Sequence, residues 1–583
     1  MKSLNKKTMK NLNVSTETEI SGSRIILEAF LQEGIKTIFG YPGGAIIPIY
    51  DALYDYKDQL EHILVRHEQG AVHAAQGLAR VSGEVGVVLA TSGPGATNLV
   101  TGLADALLDN TPIVCITGQV FDHLLGTDAF QEIDVMNVTS PVTKWNYQVT
   151  DADELPEVLA KAFYIARSGR PGPVLIDVTK NAQLQKVFNR GYTPCDSLRS
   201  YRPDPVPHMD AIEKASFLIN NAEKPFIIAG QGIMLGKAES EFLQFAEKSG
   251  IPVAWTVLGM SAIPTDHPQS VGMVGMHGNY GPNILTNECD VLIAVGMRFD
   301  DRVTGRLDQY AKQAKIIHLD IDKAEINKNV KVEVPVLGNC KETLPLLTQL
   351  IEPGAYTDWH QKFKDCYEIE HHQLISHELY PSEGEITMGE VIRHLNDMTQ
   401  GEAVIVTDVG QHQMATCRYS FFKHSRSNIT SGGLGTMGFC LPAAIGAAYG
   451  VTNRHVIAVM GDGGAQMNIQ ELGTLMQYQP DIKILILNNC YLGMVRQWQE
   501  LFHEERYSSV DIQSPDFVQV AKGYKIPGRK VTEREELEAG LSEMLHHKGA
   551  FLLEVMTGKE HNVFPMIPQG KSVSEIVLTN NKT

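Results

Sequence analysis

The sequence predicts an α/β chain built from doubly wound parallel sheets, and three observations lead there. Short runs rich in Val and Ile recur along its length, among them 84–90, 112–118, 173–178, 225–230, 290–296, 316–322, 403–410, 455–463 and 483–489. They are apolar on both faces, as strands covered by helices on both sides must be. Helical patterns separate them nearly everywhere, which makes neighbouring strands parallel and puts ligands at their carboxyl ends. The 51 glycines cluster in short turns after these runs, where backbone comes close to a ligand.

Two polar, proline-containing stretches, 186–210 and 352–384, read as linkers. They divide the chain into domains at 20–187, 195–350 and 375–570, with 1–19 as a flexible N-terminus and 571–583 as a C-terminal tail. The first and third domains share an echo. Ala90 to Thr117 and Gly461 to Asn488 span the same 27 positions, each holding a small-residue turn, a helix and a second strand. That is one βαβ unit apiece, and duplication of a domain is one explanation.

Composition excludes several classes. Hydrophobic residues make up 43% of 583, enough for buried cores. The net charge of −18, with no basic block past the first ten residues, argues against a nucleic-acid binder. Eight scattered cysteines without a CxxC pair argue against a disulfide or zinc framework. Cys115 and Cys440 sit in apolar runs and read as buried hydrophobes. No run is apolar enough to span a membrane and the basic start lacks an apolar core, so a cytoplasmic setting is expected.

The chemistry concentrates at Gly461-Asp462-Gly463 and at Asn488-Asn489. Asp462 follows one strand, and Asn489, 27 positions later, ends the next. A crossover helix at Asn468–Gln477 would make the two strands parallel neighbours, so both oxygens project from one sheet edge. A carboxylate, an amide oxygen and a nearby backbone carbonyl suit Mg²⁺, which keeps its other sites for phosphate oxygens or water. Taken singly, GDG is a tight turn and NN a strand end; their joint placement favours the metal.

The run GDGGAQMNIQELGTLMQYQPDIKILILNN resembles the signature of the thiamine diphosphate (ThDP) enzymes. The resemblance implies that Asp462, Asn489 and the carbonyl of Tyr491 hold Mg²⁺, with Gly461, Gly463 and Gly464 against the diphosphate. In HILVRHEQGAVHAAQGLAR, Glu68 matches the glutamate that bonds the aminopyrimidine ring and shuttles its proton; on its own, it would be a helix-start carboxylate. In SGGLGTMGFC, Met437 matches the residue that wedges beneath the cofactor, and the Gly435 carbonyl accepts from its amino group.

The segments FGYPGGAIIPIYDAL, LATSGPGATNLVTGLADA, TGQVFDHLLGTDAFQE, GMHG, VGMRFDDRVTG, GQHQM and LGMVRQWQELF resemble one branch, the acetohydroxyacid synthase (biosynthetic acetolactate synthase) family. The similarity runs from about residue 18 to 570. It implies a homodimer or homotetramer with a separate regulatory small subunit, and three cofactors: ThDP, Mg²⁺ and FAD. It implies decarboxylation of pyruvate and ligation of the hydroxyethyl carbanion to pyruvate or 2-oxobutyrate. The products are 2-acetolactate or 2-aceto-2-hydroxybutyrate, on the route to valine, leucine and isoleucine. By the same resemblance Arg302 grips the carboxylate of the acceptor acid, and Trp498 shapes its alkyl pocket. Gln131 and Phe130 line the reacting centre, Gly44 approaches it by backbone, and Lys180 stands at the channel mouth. Alone, Arg302 would be a surface ion pair and Trp498 a core anchor.

The middle domain then binds FAD in a Rossmann-like fold. Gly230-Gln231-Gly232 is a GxG turn short of the full dinucleotide fingerprint. The resemblance adds Thr256, Val257, Met276, His277, Gly296, Arg298, Asp300, Arg302, Asp320, Asn339, Gln413 and Met414. Departures from the family pattern are the NYGPN segment at 279–283, where Pro282 is expected to alter one flavin wall, Thr179 before Lys180, and Cys440 and Cys490 as oxidation-sensitive replacements. Another ThDP enzyme (catabolic acetolactate synthase, pyruvate oxidase or glyoxylate carboligase) and a non-catalytic nucleotide-binding sensory module are the alternatives. RFDDR with Trp498 argues against the first, Glu68 against the carboligase, and the intact acid and metal ligands against the module.

Overall fold

The apolar runs become strands because each is covered on both faces. Gly86–Ala90, Ile113–Gln119 and Pro173–Thr179 are buried at every residue. A computed structural model describes residues 19–579, in which three six-stranded sheets are parallel throughout. In the first, the strands are Thr37–Gly40, Glu61–Leu64, Gly86–Ala90, Ile113–Gln119, Trp145–Val149 and Pro173–Thr179. They lie in the order second, first, third, fourth, sixth, fifth. The third sheet, with Val404–Thr407, Asn428–Thr430, Val456–Gly461, Ile482–Asn488, Gly528–Val531 and Phe551–Met556, has the same order. The 27-residue echo is thus one piece of a whole shared topology. The middle sheet differs. Pro225–Ala229, Val253–Trp255, Ser270–Met273, Val291–Val295, Lys315–Asp320 and Val334–Leu337 run third, second, first, fourth, fifth, sixth, the dinucleotide-binding order.

Four expectations need correction. The crossover helix at 468–477 is broken into Asp462–Met467, a 3-10 turn Ile469–Glu471 and Leu472–Tyr478, because Asn468 turns its side chain to the Gly438 carbonyl (2.7 Å). The stretch 352–384 is largely helical. Thr357–Glu370 runs on through His371–Ile375 to Leu379, and its Trp359–Phe363–Glu370 stripe is buried. Trp359 donates to the Pro225 carbonyl (2.9 Å), and Glu370 pairs with the buried Arg418 (2.6 Å). Residues 571–579 are no tail. Val573 and Ile576 are buried in the core of the middle domain, and Ser572 and Glu575 form a capping box. Cys440 is shielded: its thiol is buried and donates to the Val406 carbonyl (3.0 Å). The stretch at 186–210 opens with a short strand of the first domain and continues as irregular chain. Lys186–Phe188 pairs antiparallel with Glu19–Ser21 to close the first domain, and no further helix starts before Met209. The readings of 1–18 and 580–583 lie outside the described residues.

The first and third domains make their closest approach at one helix crossing. Helix Glu68–Ser82 lies on helix Cys440–Gly450 at contact distance, backbone to backbone. A Cβ at Gly77 would fall 1.9 Å from the Ala443 carbonyl oxygen, and one at Gly446 would fall 1.7 Å from the Ala74 oxygen. Only glycine permits this approach, and it permits it from both sides. Gly446→Ala should therefore destabilise the protein by about 1–3 kcal/mol or more through overpacking. The measurement is a urea unfolding midpoint, and an unchanged midpoint would refute the close contact.

Candidate functional site

Three loop clusters gather the predicted residues, each at the carboxyl edge of a sheet. In the third domain the strand order reverses between Val404–Thr407 and Val456–Gly461, where α/β folds form their ligand crevice. Asp462 opens a short helix there, so its charge sits at a helix start. Its carboxylate is buried and accepts from the Ser514 hydroxyl (2.6 Å). Burial pushes its pKa up, and the Ser514 hydrogen bond opposes that. Strand Ile482–Asn488 pairs alongside, with Leu487 opposite Gly461. Asn489 follows immediately. Its amide nitrogen donates to Gln411 Oε1 (3.1 Å), and its oxygen faces the Tyr491 amide (3.2 Å). Gln411 in turn donates to Gln497 Oε1 (3.0 Å) and the His561 carbonyl (2.9 Å). That chain fixes which end of Asn489 is free to act as an oxygen donor.

The loop before helix Cys440–Gly450 stands over this crevice. Met437 Cε lies 3.5 Å from where a Cβ on Gly463 would be. Gly438 N donates to Asp408 Oδ2 (2.8 Å), while Asp408 Oδ1 hydrogen-bonds His412 Nε2 (2.6 Å). Sequence reasoning missed Asp408, Gln411 and His412. Their signal was positional: they directly follow the strand that borders the switch point.

In the first domain, Glu68 opens helix Glu68–Ser82. Its side chain is 9% exposed and accepts from Asn98 (2.9 Å). Lys180 Nζ donates to the Gly44 carbonyl (3.2 Å), which joins two of the predicted residues. Gln131 has a left-handed backbone (φ 61°), and Phe130 beside it is 88% exposed. Among the described residues, no hydrogen bond within the chain links Glu68, Gly44, Gln131 or Lys180 to Met437, Asp462 or Asn489.

The third cluster is a cavity of about 820 Å³ between the middle and third domains. It is lined by Gly232, Thr256, Val257, Met276, His277, Gly296, Arg298, Asp300, Arg302, Asp320 and Asn339, and from the third domain by Gln413, Met414, Gly435 and Trp498. Gly230 is the exception. It packs beneath, where a Cβ would meet the Gly296 carbonyl oxygen at 2.2 Å. Pro282 also stays away from the cavity, inside helix Tyr280–Thr286; the wall is made by Met276 and His277. Burial holds the His277 pKa down at about 4, and its ring hydrogen-bonds the Pro565 carbonyl (3.2 Å). Arg302 leaves its guanidinium 63% exposed, 3.6 Å from Asp301 and 3.4 Å from Met276 Sδ. Trp498 packs against the Leu374, Phe564 and Met566 cluster. The first domain adds Asn110 and Arg170, which sequence reasoning missed. Arg170 bridges to Asp322 (3.2 Å) and Glu325 (2.6 Å) of the middle domain.

These surroundings fit the implied groups. Among the described residues no cluster of three or more His, Cys, Asp or Glu exists, so no closed metal cage is present. One buried carboxylate, one oriented amide and a backbone carbonyl leave room for phosphate oxygens, as Mg²⁺ requires. The cavity sits at the middle sheet's own switch point, between the loops after Pro225–Ala229 and Val291–Val295. Its volume falls in the upper part of the roughly 300–1,000 Å³ range of cofactor pockets. Gln411 supports a test of the metal geometry. Gln411→Leu should weaken Mg²⁺-dependent ThDP binding about 10–100-fold by freeing the Asn489 amide. Fluorescence titration of the apoprotein would read it, and an unchanged dissociation constant would refute the arrangement.

Comparison with known proteins agrees with this geometry domain by domain. Residues 20–138 match the thiamine pyrophosphate enzyme N-terminal TPP binding domain, 212–347 the central domain, and 408–555 the C-terminal TPP binding domain. The chain is 43% identical to the acetolactate synthase isozyme 2 large subunit of Escherichia coli (strain K12) over 96% of its length and 99% of that protein's. It is 43% identical to the acetolactate synthase large subunit of Lactococcus lactis subsp. lactis (strain IL1403), over 97% of both. With the isozyme 3 large subunit of Escherichia coli (strain K12) it shares 40% identity over 97% of its length and 99% of that protein's. The chain belongs to the acetolactate synthase large-subunit family of thiamine pyrophosphate enzymes.

Proposed function

We propose that this chain joins two 2-oxo acids. It releases CO₂ from pyruvate and ligates the remaining two-carbon unit to pyruvate or 2-oxobutyrate, giving 2-acetolactate or 2-aceto-2-hydroxybutyrate for branched-chain amino acid synthesis. The observation that carries this reading is the shared cavity. Arg302, Trp498 and Gly435 line one space, so a carboxylate-binding cation and an apolar wall stand beside the loop of Met437. Bound ThDP supplies the electron sink that decarboxylation needs. Asp462, Asn489 and Tyr491 hold the Mg²⁺ that binds its diphosphate. Glu68 holds a proton on its carboxyl and passes it to and from the aminopyrimidine ring. Arg302 presents its guanidinium fork to the acceptor's carboxylate, and Trp498 limits the acceptor's alkyl group. Gly44 and Gln131 flank the reacting carbons, with Lys180 at the entrance. Gly232, Gly296, Asp320 and Asn339 in the middle cavity would hold FAD, which would supply no net redox change to this reaction.

Among the described residues no hydrogen bond within one chain joins Glu68 to Asp462 or Asn489, and Phe130 stands open to solvent. Both observations support a site completed by a second copy of the chain, in a homodimer or a homotetramer. The relatives are named large subunits, which supports a separate regulatory small subunit as partner. No helix among the described residues is long and apolar enough to cross a membrane, in keeping with a cytoplasmic role.

The direct test is acetolactate formation from pyruvate with ThDP, Mg²⁺ and FAD; no product, with or without a small subunit, would sink the reading. Glu68→Gln should lower kcat by about 10²–10⁴, the usual share of general acid–base catalysis, with folding intact. A near-normal rate would remove Glu68 from its role. Trp498→Leu should shift acceptor choice toward pyruvate by about tenfold, on the scale that one methylene can discriminate. A competition assay with both acids gives the ratio, and an unchanged ratio would count against the pocket.

A further inference from the structure

The two cofactor-binding domains exchange buried carboxylates, and the exchange is reciprocal. In the first domain, the helix between the third and fourth strands, Val100–Leu108, carries Asp105 and ends at Asp109. Both side chains are fully buried, and both reach the third domain, onto the loop after its second strand. Asp105 Oδ2 accepts from the Ser431 hydroxyl (2.6 Å) and from the Thr436 hydroxyl. Asp109 accepts from Gly432 N (2.9 Å) at Oδ2 and from Gly433 N (2.6 Å) at Oδ1. Arg80, on the helix that Glu68 opens, pairs with Asp109 (2.8 Å) and Asp105 (3.4 Å) and donates to the Thr430 carbonyl. In the third domain, the corresponding crossover carries Glu471, also buried. Its Oε1 accepts from the backbone N–H of Arg66 (3.0 Å) and of His67 (3.1 Å), just after the second strand of the first domain. Oε2 accepts from Thr474 (2.6 Å).

We propose that Asp109, with Asp105, and Glu471 are paired positioning residues. Each sets, from the other domain of the same chain, the segment that bears a reactive-centre residue: Met437 in one case, Glu68 in the other. The inference rests on the roles given above to Met437 and Glu68. These carboxylates preorganise the two segments. Backbone N–H groups in an irregular loop have no ladder to hold them. A carboxylate accepting two of them fixes the loop with charge-assisted bonds. The loops are held where chemistry tolerates little error, since a displacement of about 1 Å can lower a rate about 10²-fold. The symmetry is that of the folds: the same crossover in the same strand order reaches the same target.

The test uses the holoenzyme and, for exchange, the apoprotein. Asp109→Asn is isosteric, yet its amide cannot accept at both atoms. It should lower kcat about 10–100-fold with KM for pyruvate within about threefold. It should also speed backbone hydrogen exchange in 431–438 without touching 456–461. Glu471→Ala should do the same at 66–69. Glu471→Gln should recover kcat to within about threefold, because its amide oxygen can take both N–H donors while its nitrogen faces the Thr474 hydroxyl. In a double-mutant cycle, Asp109→Asn should slow a Met437→Ala enzyme far less than it slows the parent. Uniform acceleration of exchange, an additive cycle, or an unrescued Glu471→Gln would overturn the proposal. A Met437→Ala enzyme as fast as the parent would sink the reading of Met437 itself. A slow one with an additive Asp109→Asn loss would sink only the positioning role.

Discussion

Everything at the site depends on one close crossing, that of helix Glu68–Ser82 on helix Cys440–Gly450. Gly77 and Gly446 allow each backbone to lie against the other's carbonyl group. Both helices begin at functional segments: Glu68 is the first residue of one, and the other follows the Met437 loop directly. The crossing therefore sets how each functional segment sits on the other domain of its own chain before any ligand arrives. A wider contact, as between two helices with Leu or Val at the seam, would pull Glu471 from Arg66 N and Asp109 from Gly432 N. Those bonds are short, 2.9–3.0 Å, and they lose strength steeply with distance.

Shared topology explains why one crossing suffices. The first and third sheets have one strand order, so their second strands, third strands and crossovers occupy equivalent places. Packing them face to face makes equivalent groups meet equivalent targets. The middle domain lacks that order and contributes by a different route. Its own switch point opens a cavity, and the third domain closes it with Gln413, Gly435 and Trp498. Helix Thr357–Glu370 secures that closure: Glu370 pairs with Arg418, and Arg418 donates to the Gly278 carbonyl (3.1 Å), next to His277 on the cavity wall.

The fold class and the sheet edge that carries Asp462 and Asn489 were legible in the sequence because they rest on local pattern. All nine apolar runs are strands, and Asp462 and Asn489 do end neighbouring ones. Short strands such as Val253–Trp255 and Asn428–Thr430, of three residues each, leave no such pattern. The helix at 357–379 was hidden by its charged surface, since only Trp359, Phe363, Glu370, Leu374 and Ile375 along it are buried. Asp408, Gln411, His412 and Glu471 were illegible for another reason. For the first three, a place after a strand at the switch point is the one local signal; what all four do comes mostly from partners on distant segments, such as Gly438 for Asp408, Asn489 for Gln411 and Arg66 for Glu471. Gly230 was read by motif as a ligand contact, but its neighbours use it for packing against Gly296.

By its far field, a formal charge of −18 is expected to oppose the binding of diphosphates and carboxylates. The structure shows why it does not. Many of the acids closest to the chemistry are buried and spoken for: Asp105 and Asp109 by Arg80 and by hydroxyl and backbone donors, Asp408 by His412 and Gly438 N, Glu471 by Arg66 N and His67 N. A carboxylate whose lone pairs already accept donors presents little field to a ligand, and it holds the donors' loops in place. Arg302, by contrast, keeps its guanidinium largely open, with a single ion pair at 3.6 Å to an exposed Asp301. The chain thus uses these carboxylates for internal positioning and leaves the Arg302 guanidinium largely exposed on the cavity lining. Net charge governs the far field, but the site is decided by which charges are already satisfied.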